Sequence, residues 1–362
     1  MIENVDLQAV ISLRHELHNS PEPSGHEENT RRLLMNFLKT HTATLAICDM
    51  QTWFYAFKKG SGSRAPIAFR ADHDAVTCAD GRARHLCGHD GHSAVLAGFA
   101  MWLDKKQLDR DVYLIFQPAE ENGKGAAICS SLIDEKGIAE IYGFHNIPGY
   151  PVGSVILLNH TFACASTGLE IRFSGKQSHA AYPESGANPA RAIAKTIIRM
   201  DEIVRESHKG IVLGTLIGID AGSASYGVSA GEGTLRLTLR AEYQDEYDML
   251  VQSIEDTASR LAASDNLTCA MTRIEEFPAT INDADCVRKL ADVARALGRP
   301  TVTPPEPFRW SEDFGHYLSK TRGAFLGIGC GEGHAALHTM EYEFLDEVIE
   351  VGVGVFAGVA GR

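Results

Sequence analysis

The sequence predicts an α/β protein in which a small β-α-β-β-α-β domain is inserted into a larger domain that has a largely parallel sheet. Short apolar runs that suit buried strands alternate with amphipathic helical segments up to residue 164, and α/β character returns after residue 276. Between these parts the predicted elements follow one another in the ferredoxin-like order. The length of 362 residues also favours two domains over one.

The larger domain is predicted over residues 1–164 and 277–362 and begins with two helices separated by Pro21, Pro23 and Gly25. The run at 67–72 ends in a carboxylate, and such buried strands deliver side chains to one edge of a sheet. Its predicted helices span 5–20, 28–40 and 88–103, its predicted strands span 67–72, 112–116 and 141–144, and it finishes with the segment 344–360.

The inserted domain is predicted over residues 165–276. Its strands are expected at 169–173, 212–219, 234–242 and 267–274, and its helices at 189–206 and 245–263. Pro189 suits the first turn of the first of these helices, because its fixed φ matches that position. The sequence shows no internal repeat and no low-complexity stretch.

Composition and charge exclude several classes of protein. The net charge of -13, from 47 acidic and 34 basic residues, disfavours a nucleic-acid surface. The sequence has no apolar run of the roughly 18 residues that a membrane span needs, and its start, Met-Ile-Glu-Asn-Val-Asp, lacks the regions of a secretory signal. The eight cysteines have no close spacing and are predicted to be reduced thiols in the cytoplasm.

The densest cluster of chemically active residues is the octet His-Leu-Cys-Gly-His-Asp-Gly-His at 85–92. Thiolate and imidazole are the ligands that borderline metals prefer, and glycines at a strand-to-helix turn permit close approach to a metal. The octet therefore predicts a metal site. A histidine-rich surface loop or helix cap is the alternative interpretation.

Two adjacent carboxylates, Glu120 and Glu121, follow the predicted strand 112–116. Neighbouring side chains point in different directions, so one glutamate can hold a metal while the other reaches the reacting atoms. A solvated acidic turn is the alternative. His145, just past the strand 141–144, and His338, in Leu-His-Thr near the end of the chain, would each alone be interpreted as ordinary histidines.

Together these motifs resemble the aminoacylase/carboxypeptidase-type metallopeptidase superfamily. The likeness is greatest to its amidohydrolase branch, which includes hippurate hydrolases and the plant hydrolases of indole-acetyl-amino acids, and it covers nearly the whole chain in the family's order. The matching motifs are Cys-Gly-His-Asp-Gly-His at 87–92, Pro-Ala-Glu-Glu at 118–121, Phe-His-Asn-Ile-Pro at 144–148, Leu-His at 337–338, Leu-Arg-His-Glu-Leu-His at 13–18, Phe-Arg-Ala-Asp-His-Asp at 69–74, Gly-Lys-Gln-Ser-His-Ala-Ala at 175–181 and Ser-Glu-Asp-Phe at 311–314.

The resemblance implies a three-layer α/β/α hydrolase domain that holds two divalent metal ions, with manganese, zinc, cobalt and nickel all suited to the donor set. It implies that Glu120 is the general acid/base and that Asp74 supports the site by orienting a ligand. Asp72 is a further candidate for that supporting role. The implied metal ligands are Cys87, His89, Glu121, His145 and His338.

For the inserted domain, the resemblance implies a lid or dimerisation role and a homodimer. His179 would donate to the oxyanion of the tetrahedral intermediate, from the partner subunit or after a domain movement. A simple turn histidine is the alternative. Arg240 and Asn188 are candidates for binding a substrate carboxylate. The chain departs from the family at 226–233, where an Asn that often helps hold substrate is absent. The resemblance therefore does not define the substrate class.

The implied function is hydrolysis of the amide bond of an N-acetyl-like or N-aroyl-like amino acid by a water that two metals activate, with Glu120 as base and then acid. A dipeptidase or aminopeptidase with the same metal site is the alternative within this class. A non-catalytic metal-binding dimer is the alternative outside it. The pair Glu120-Glu121 disfavours the second, because a binding protein has no need of the spare glutamate.

Overall fold

The computed structural model describes residues 5–362, and the chain divides into two compact units. The first contains the chain up to Phe162 together with Thr280–Pro307 and Glu312–Arg362, and the second contains Ala163–Ala279 and Phe308–Ser311. The sequence does not predict that Phe308–Ser311 joins the second unit. Residues 1–4, on which the expected absence of a secretory signal partly rests, lie outside the described residues.

The secondary structure follows the chain in this order. The helices are α1 (Leu7–His18), α2 (Glu28–His41), α3 (His89–Asp104), α4 (Gly125–Cys129), α5 (Ser131–Lys136), α6 (Ala190–Arg205), α7 (Gln244–Ser264), α8 (Ala284–Ala296), α9 (Gly315–Leu318) and α10 (Glu347–Ala360). The strands are β1 (Ala46–Asp49), β2 (Phe54–Lys58), β3 (Arg64–Asp72), β4 (Val76–Thr77), β5 (Ala83–Arg84), β6 (Arg110–Gln117), β7 (Glu140–Ile147), β8 (Val155–Ile156), β9 (His160–Ala163), β10 (Ala165–Ser174), β11 (Val212–Ala221), β12 (Glu232–Ala241), β13 (Thr268–Phe277), β14 (Thr280–Asn282), β15 (Thr301–Val302) and β16 (Arg322–Gly329).

The first unit is built on a mixed sheet with the strand order β1-β2-β6-β3-β7-β16-β8-β15. Its four middle strands, β6, β3, β7 and β16, are parallel, whereas β2 and β8 pair antiparallel with their inner neighbours. The buried run in β3 is typical of a parallel strand covered on both faces. The carboxyl ends of the four parallel strands therefore meet at one edge of the sheet.

Helices cover both faces of this sheet. Ile67, Phe69 and Ala71 of β3 lie in one apolar core with α1, α2, α3, α8 and α10. On the other face, Tyr317 of α9 donates a hydrogen bond to Gln117 Oε1 of β6 at 3.0 Å. The unit thus has the three-layer α/β/α architecture that the sequence predicts.

Gly88 fixes the point at which α3 begins. It has a φ of +98°, and a Cβ at this position would lie 2.4 Å from Oδ1 of Asn146 in β7. Only glycine meets both conditions, since other residues rarely adopt such a φ. The close approach places the first turn of α3, which starts at His89, against the end of β7.

The second unit has a four-stranded antiparallel sheet in the order β11-β12-β10-β13, together with α6 and α7. Leu169, Ile171 and Phe173 alternate with more exposed residues along β10, and they share a core with Tyr247 and Ile254 of α7. The sequence of elements is β-α-β-β-α-β, so the predicted ferredoxin-like arrangement is confirmed.

Among residues 5–362, no helix combines the length and the apolar character that crossing a membrane requires.

Candidate metal centre

Five potential metal ligands of the first unit converge at the carboxyl edge of its parallel strands. One comes from the turn before α3, one is the first residue of α3, one comes from the loop after β6, one from β7 and one from the loop after β16. The sequence places the β7 histidine just past the strand, but it lies inside the strand, which extends to Ile147. The five residues are Cys87, His89, Glu121, His145 and His338.

Cys87 lies between two histidines. Its Sγ is 3.3 Å from Nε2 of His145 and 3.3 Å from Nε2 of His338. Burial, together with the nearby Glu121 carboxylate, raises the pKa of the thiol well above its ordinary value. A thiolate here therefore needs a strong positive partner, which a bound metal ion supplies.

His89 and Glu121 present polar atoms that lack partners. Nε2 of His89 and Oε1 of Glu121 are buried and, among the described residues, have no hydrogen-bond partner. They lie 3.7 Å apart, and Glu121 Oε1 lies 3.6 Å from Nε2 of His338. Leaving such atoms unpaired costs free energy, so the arrangement fits a cation placed between them. Burial also raises the pKa of Glu121 to about 7.

The other ring nitrogen of His89 is held by Asp74. Oδ1 of Asp74 lies 3.0 Å from Nδ1 of His89, while Oδ2 accepts from Ser24 Oγ at 2.6 Å and from the Glu121 N–H at 3.0 Å. Burial disfavours the Asp74 carboxylate, but the hydrogen bond and charge of His89 and the hydrogen bond from Ser24 together outweigh burial and lower the pKa to about 2. A carboxylate on Nδ1 leaves Nε2 directed at a metal, which is the usual arrangement at such sites.

Glu120 is buried beside the cluster. Its Oε1 accepts a hydrogen bond from the Asp313 N–H at 3.3 Å. Burial and the neighbouring carboxylates of Glu312 and Asp313 raise the pKa of Glu120 well above its ordinary value. The group is therefore well suited to hold a proton, as a general base that later acts as an acid must.

Sequence reasoning did not assign roles to several buried polar residues of the site. His92 lies 2.6 Å from Asp72 through Nδ1 and 2.5 Å from Asn146 Oδ1 through Nε2, so both of its ring nitrogens are occupied. Arg70 interrupts the apolar buried run 67–71 of β3, and Gln117 ends the buried run 112–117 of β6. A charged or amide side chain in such a run is unusual, and that signal could have identified both.

His179 lies in the second unit, in the loop after β10. Its ring is exposed, its Nδ1 accepts from the Ala181 N–H at 3.1 Å, and its backbone pairs with Val228. These contacts belong to the second unit alone, so the catalytic role of His179 stays a prediction. Asn188 Oδ1 accepts from the Ala190 N–H at 2.9 Å, a bond typical of a helix start.

Comparison with known families gives one match that spans most of the chain. The model of the peptidase family M20/M25/M40 matches residues 68–362.

Two relatives of known activity are similar over nearly their full length. An N-acetyldiaminopimelate deacetylase of Lacticaseibacillus casei is 27% identical, with 95% of each chain covered. An N-acetylcysteine deacetylase of Bacillus subtilis is 27% identical, with 97% of this chain and 96% of the relative covered.

Solved structures show the same fold. A dinuclear metal-binding peptidase of Bacillus subtilis has a TM-score of 0.82 at 26% identity and covers 98% of this chain and 97% of its own. An aminobenzoyl-glutamate utilization protein of Klebsiella pneumoniae has a TM-score of 0.76 at 19% identity, with 98% and 95% covered, and supports the fold alone.

Proposed function

Because the chain belongs to the peptidase family M20/M25/M40 and is a metal-dependent hydrolase, we propose that it hydrolyses the amide bond of an N-acyl amino acid of the N-acetyl or N-aroyl type. The observation that carries this proposal is the cluster of potential ligands around the buried Cys87 and His89, with the buried Glu120 beside it. The two deacetylases, whose substrates carry N-acetyl groups, support the choice of acyl group.

The cluster would hold two divalent metal ions. Subsets of its thiol, imidazole and carboxylate atoms lie within 4.8 Å of one another. The mixture of soft and hard donors suits manganese, zinc, cobalt or nickel. Bound there, the ions would lower the pKa of a water and polarise the substrate carbonyl. The proposed ligands are Cys87, His89, Glu121, His145 and His338, and Asp74 would orient His89.

Glu120 performs the proton transfers in this proposal. Its carboxylate accepts a proton from the attacking water and then delivers that proton to the departing amine. Its burial keeps bulk water away from the proton in transit. The Asp313 N–H fixes one carboxylate oxygen, so the other remains available for the transfer.

His179 would donate a hydrogen bond to the oxyanion of the tetrahedral intermediate. Its exposed ring is free for this role from the partner subunit or after a domain movement. The substrate carboxylate would bind Arg240, which is half-buried and, among the described residues, forms no ion pair with a carboxylate. Its Nη1 already donates to Ser311 Oγ at 2.7 Å and to the Arg309 carbonyl at 3.0 Å.

A homodimer through the second unit completes the proposal. β11 is an edge strand of that unit's sheet, and its side chains Leu216, Ile217 and Ile219 are exposed. Exposed apolar edges of this kind mark association surfaces. We also assign the protein to the cytoplasm, because all eight cysteines are free thiols, as a reducing compartment would keep them.

The test is amine release by manganese-loaded protein from a panel of N-acetyl and N-benzoyl L-amino acids and of free dipeptides. We expect release from a subset of the acylated compounds and loss of that release with a chelator. Release from free dipeptides alone would replace the proposal with the dipeptidase or aminopeptidase alternative. Metal-loaded protein that releases amine from neither group would contradict both.

A further inference from the structure

Arg70 of β3 is a fully buried cation that contacts four polar side chains. Its Nε donates to Gln117 Oε1 at 2.7 Å, and its Nη1 donates to Asp72 Oδ2 at 2.8 Å. Its Nη2 donates to Glu312 Oε1 at 2.9 Å and to Asp313 Oδ1 at 2.7 Å. Buried ion pairs add little net stability compared with apolar packing, so the folding of the sheet does not by itself account for this network.

Asp313 forms hydrogen bonds at both ends of the loop 118–124, which lies between β6 and α4 and contains the two glutamates. Before the loop, Gln117 Nε2 donates to both carboxylate oxygens of Asp313, at 2.9 and 2.8 Å. After the loop, the Ala126 N–H donates to Asp313 Oδ2 at 2.8 Å. Within the loop, Glu120 Oε1 accepts from the Asp313 N–H at 3.3 Å. One residue thus holds the start of the loop, its end and the carboxyl of Glu120.

The loop has a backbone that needs such support. Ala119 has a φ of +54°, which non-glycine residues rarely adopt. The loop also closes tightly, since a Cβ at Gly125 would lie 1.7 Å from the carbonyl oxygen of Pro118. Such conformations persist where surrounding contacts determine them, and they occur most often at functional sites.

We propose that Arg70 is a positioning residue that holds Glu120 in the orientation for proton transfer, acting through Asp313 and Gln117. The inference rests on the proposed role of Glu120 as general base. The planar guanidinium presents donors in a fixed fork and so bonds β3, β6 and the 312–313 segment at once, which a lysine ammonium on a flexible stem does not reproduce.

The experiment compares Arg70→Lys and Asp313→Asn with the control Arg110→Lys. Arg110 is also buried, with 4% of its surface exposed, but it lies at the opposite end of β6. We expect kcat to fall about 10–100-fold in both test variants, as for other residues that orient a catalytic group from behind. KM and the number of bound metal ions should stay close to wild type, and the control should keep its kcat.

Hydrogen–deuterium exchange of the peptide 118–126 gives a second measurement that needs no substrate. We expect faster exchange confined to this peptide in both test variants, and no such local change in the control. This result would stand even if no N-acyl amino acid were cleaved, so the two proposals fail separately. If Arg70→Lys does not fold, kcat and exchange of Asp313→Asn test the inference, because this variant keeps the size and the backbone donor of Asp313.

Unchanged kcat and unchanged exchange in folded test variants would overturn the inference. Loss of a metal ion in step with the loss of activity would overturn it as well, because Arg70 would then act on the ligands and not on Glu120.

Discussion

Cys87 is the residue on which the proposed metal site depends most directly, because its Sγ lies 3.3 Å from both His145 and His338. We expect Cys87→Ala to bind fewer metal ions than wild type and to lose most of its activity. Elemental analysis of the purified protein measures the metal content. Cys286→Ala is the matched control, since Cys286 is a fully buried thiol in α8. Full metal content in Cys87→Ala would refute the ligand assignment.

Metal affinity should depend on pH through two ligands. Burial raises the pKa of Glu121 to about 7 and raises that of the Cys87 thiol well above its usual value. Metal binding must remove both protons, so affinity should rise with pH, by about tenfold per pH unit for each proton released. Below about pH 7 Glu121 is protonated as well as Cys87, so metal binding releases two protons and the metal affinity changes more steeply with pH. Calorimetric titrations from pH 6 to 8 measure this, and an affinity independent of pH would contradict it.

At the same scale, short motifs in the sequence single out candidate site residues, whereas residues that bond across long stretches of chain leave no local pattern. Cys87 and His89 stand three positions or fewer from other metal-binding residue types. Asp313 and Gln117 bond across 196 positions in the chain, and no local pattern indicates such a pair. Local sequence patterns therefore indicate candidate ligands that share a turn, and the assignment of the whole site stays a prediction.

Among the secondary-structure elements, α3 has a strict requirement at Gly88, the position before its first residue. We expect Gly88→Ala to lose more stability than Gly137→Ala. Both positions have positive φ, which costs an alanine about 1–2 kcal/mol, but only the Cβ at 88 would collide with Asn146. Denaturant unfolding of the two variants measures the difference. Equal losses would show that the contact with β7 does not constrain the start of α3.

Strands with long apolar runs were predictable, and glycine-rich ones were not. β3, β6 and β7 were expected from their apolar runs, and each of these strands is a few residues longer in the structure than predicted. β16, with the sequence Arg-Gly-Ala-Phe-Leu-Gly-Ile-Gly, was not identified, because glycine disfavours strands. A Cβ at Gly323 would lie 2.2 Å from the carbonyl oxygen of Ile141, so close approach to β7 requires this glycine.

For the whole molecule, the proposed dimer gives a direct prediction. We expect wild-type protein to be dimeric at micromolar concentration and Ile217→Lys to be monomeric, because a charge on the exposed edge of β11 opposes pairing. Met249→Lys is the control, since Met249 is exposed to a similar extent, 61% against 59% for Ile217, on α7 of the same unit. Light scattering measures the mass. A monomeric wild type would contradict the proposed dimer, and a dimeric Ile217→Lys would exclude this edge.

The architecture as a whole was predictable from the sequence, because the two units differ in the order of their helices and strands. The inserted unit follows from its β-α-β-β-α-β order, whereas the membership of Phe308–Ser311 does not. That segment joins the second unit through contacts such as the Cys164 N–H with the Phe308 carbonyl at 3.0 Å. A contact between such distant positions leaves no trace in local composition.

The central claim, that a two-metal site with Glu120 as base cleaves an N-acyl amino acid, is tested most directly by Glu120→Gln. The variant's metal content and its amine release from the best substrate of the panel are compared with those of wild type. We predict unchanged metal content and a loss of turnover of about 10²-fold or more, because the amide cannot accept the proton of the attacking water. Near-normal turnover with the metal retained would contradict the claim.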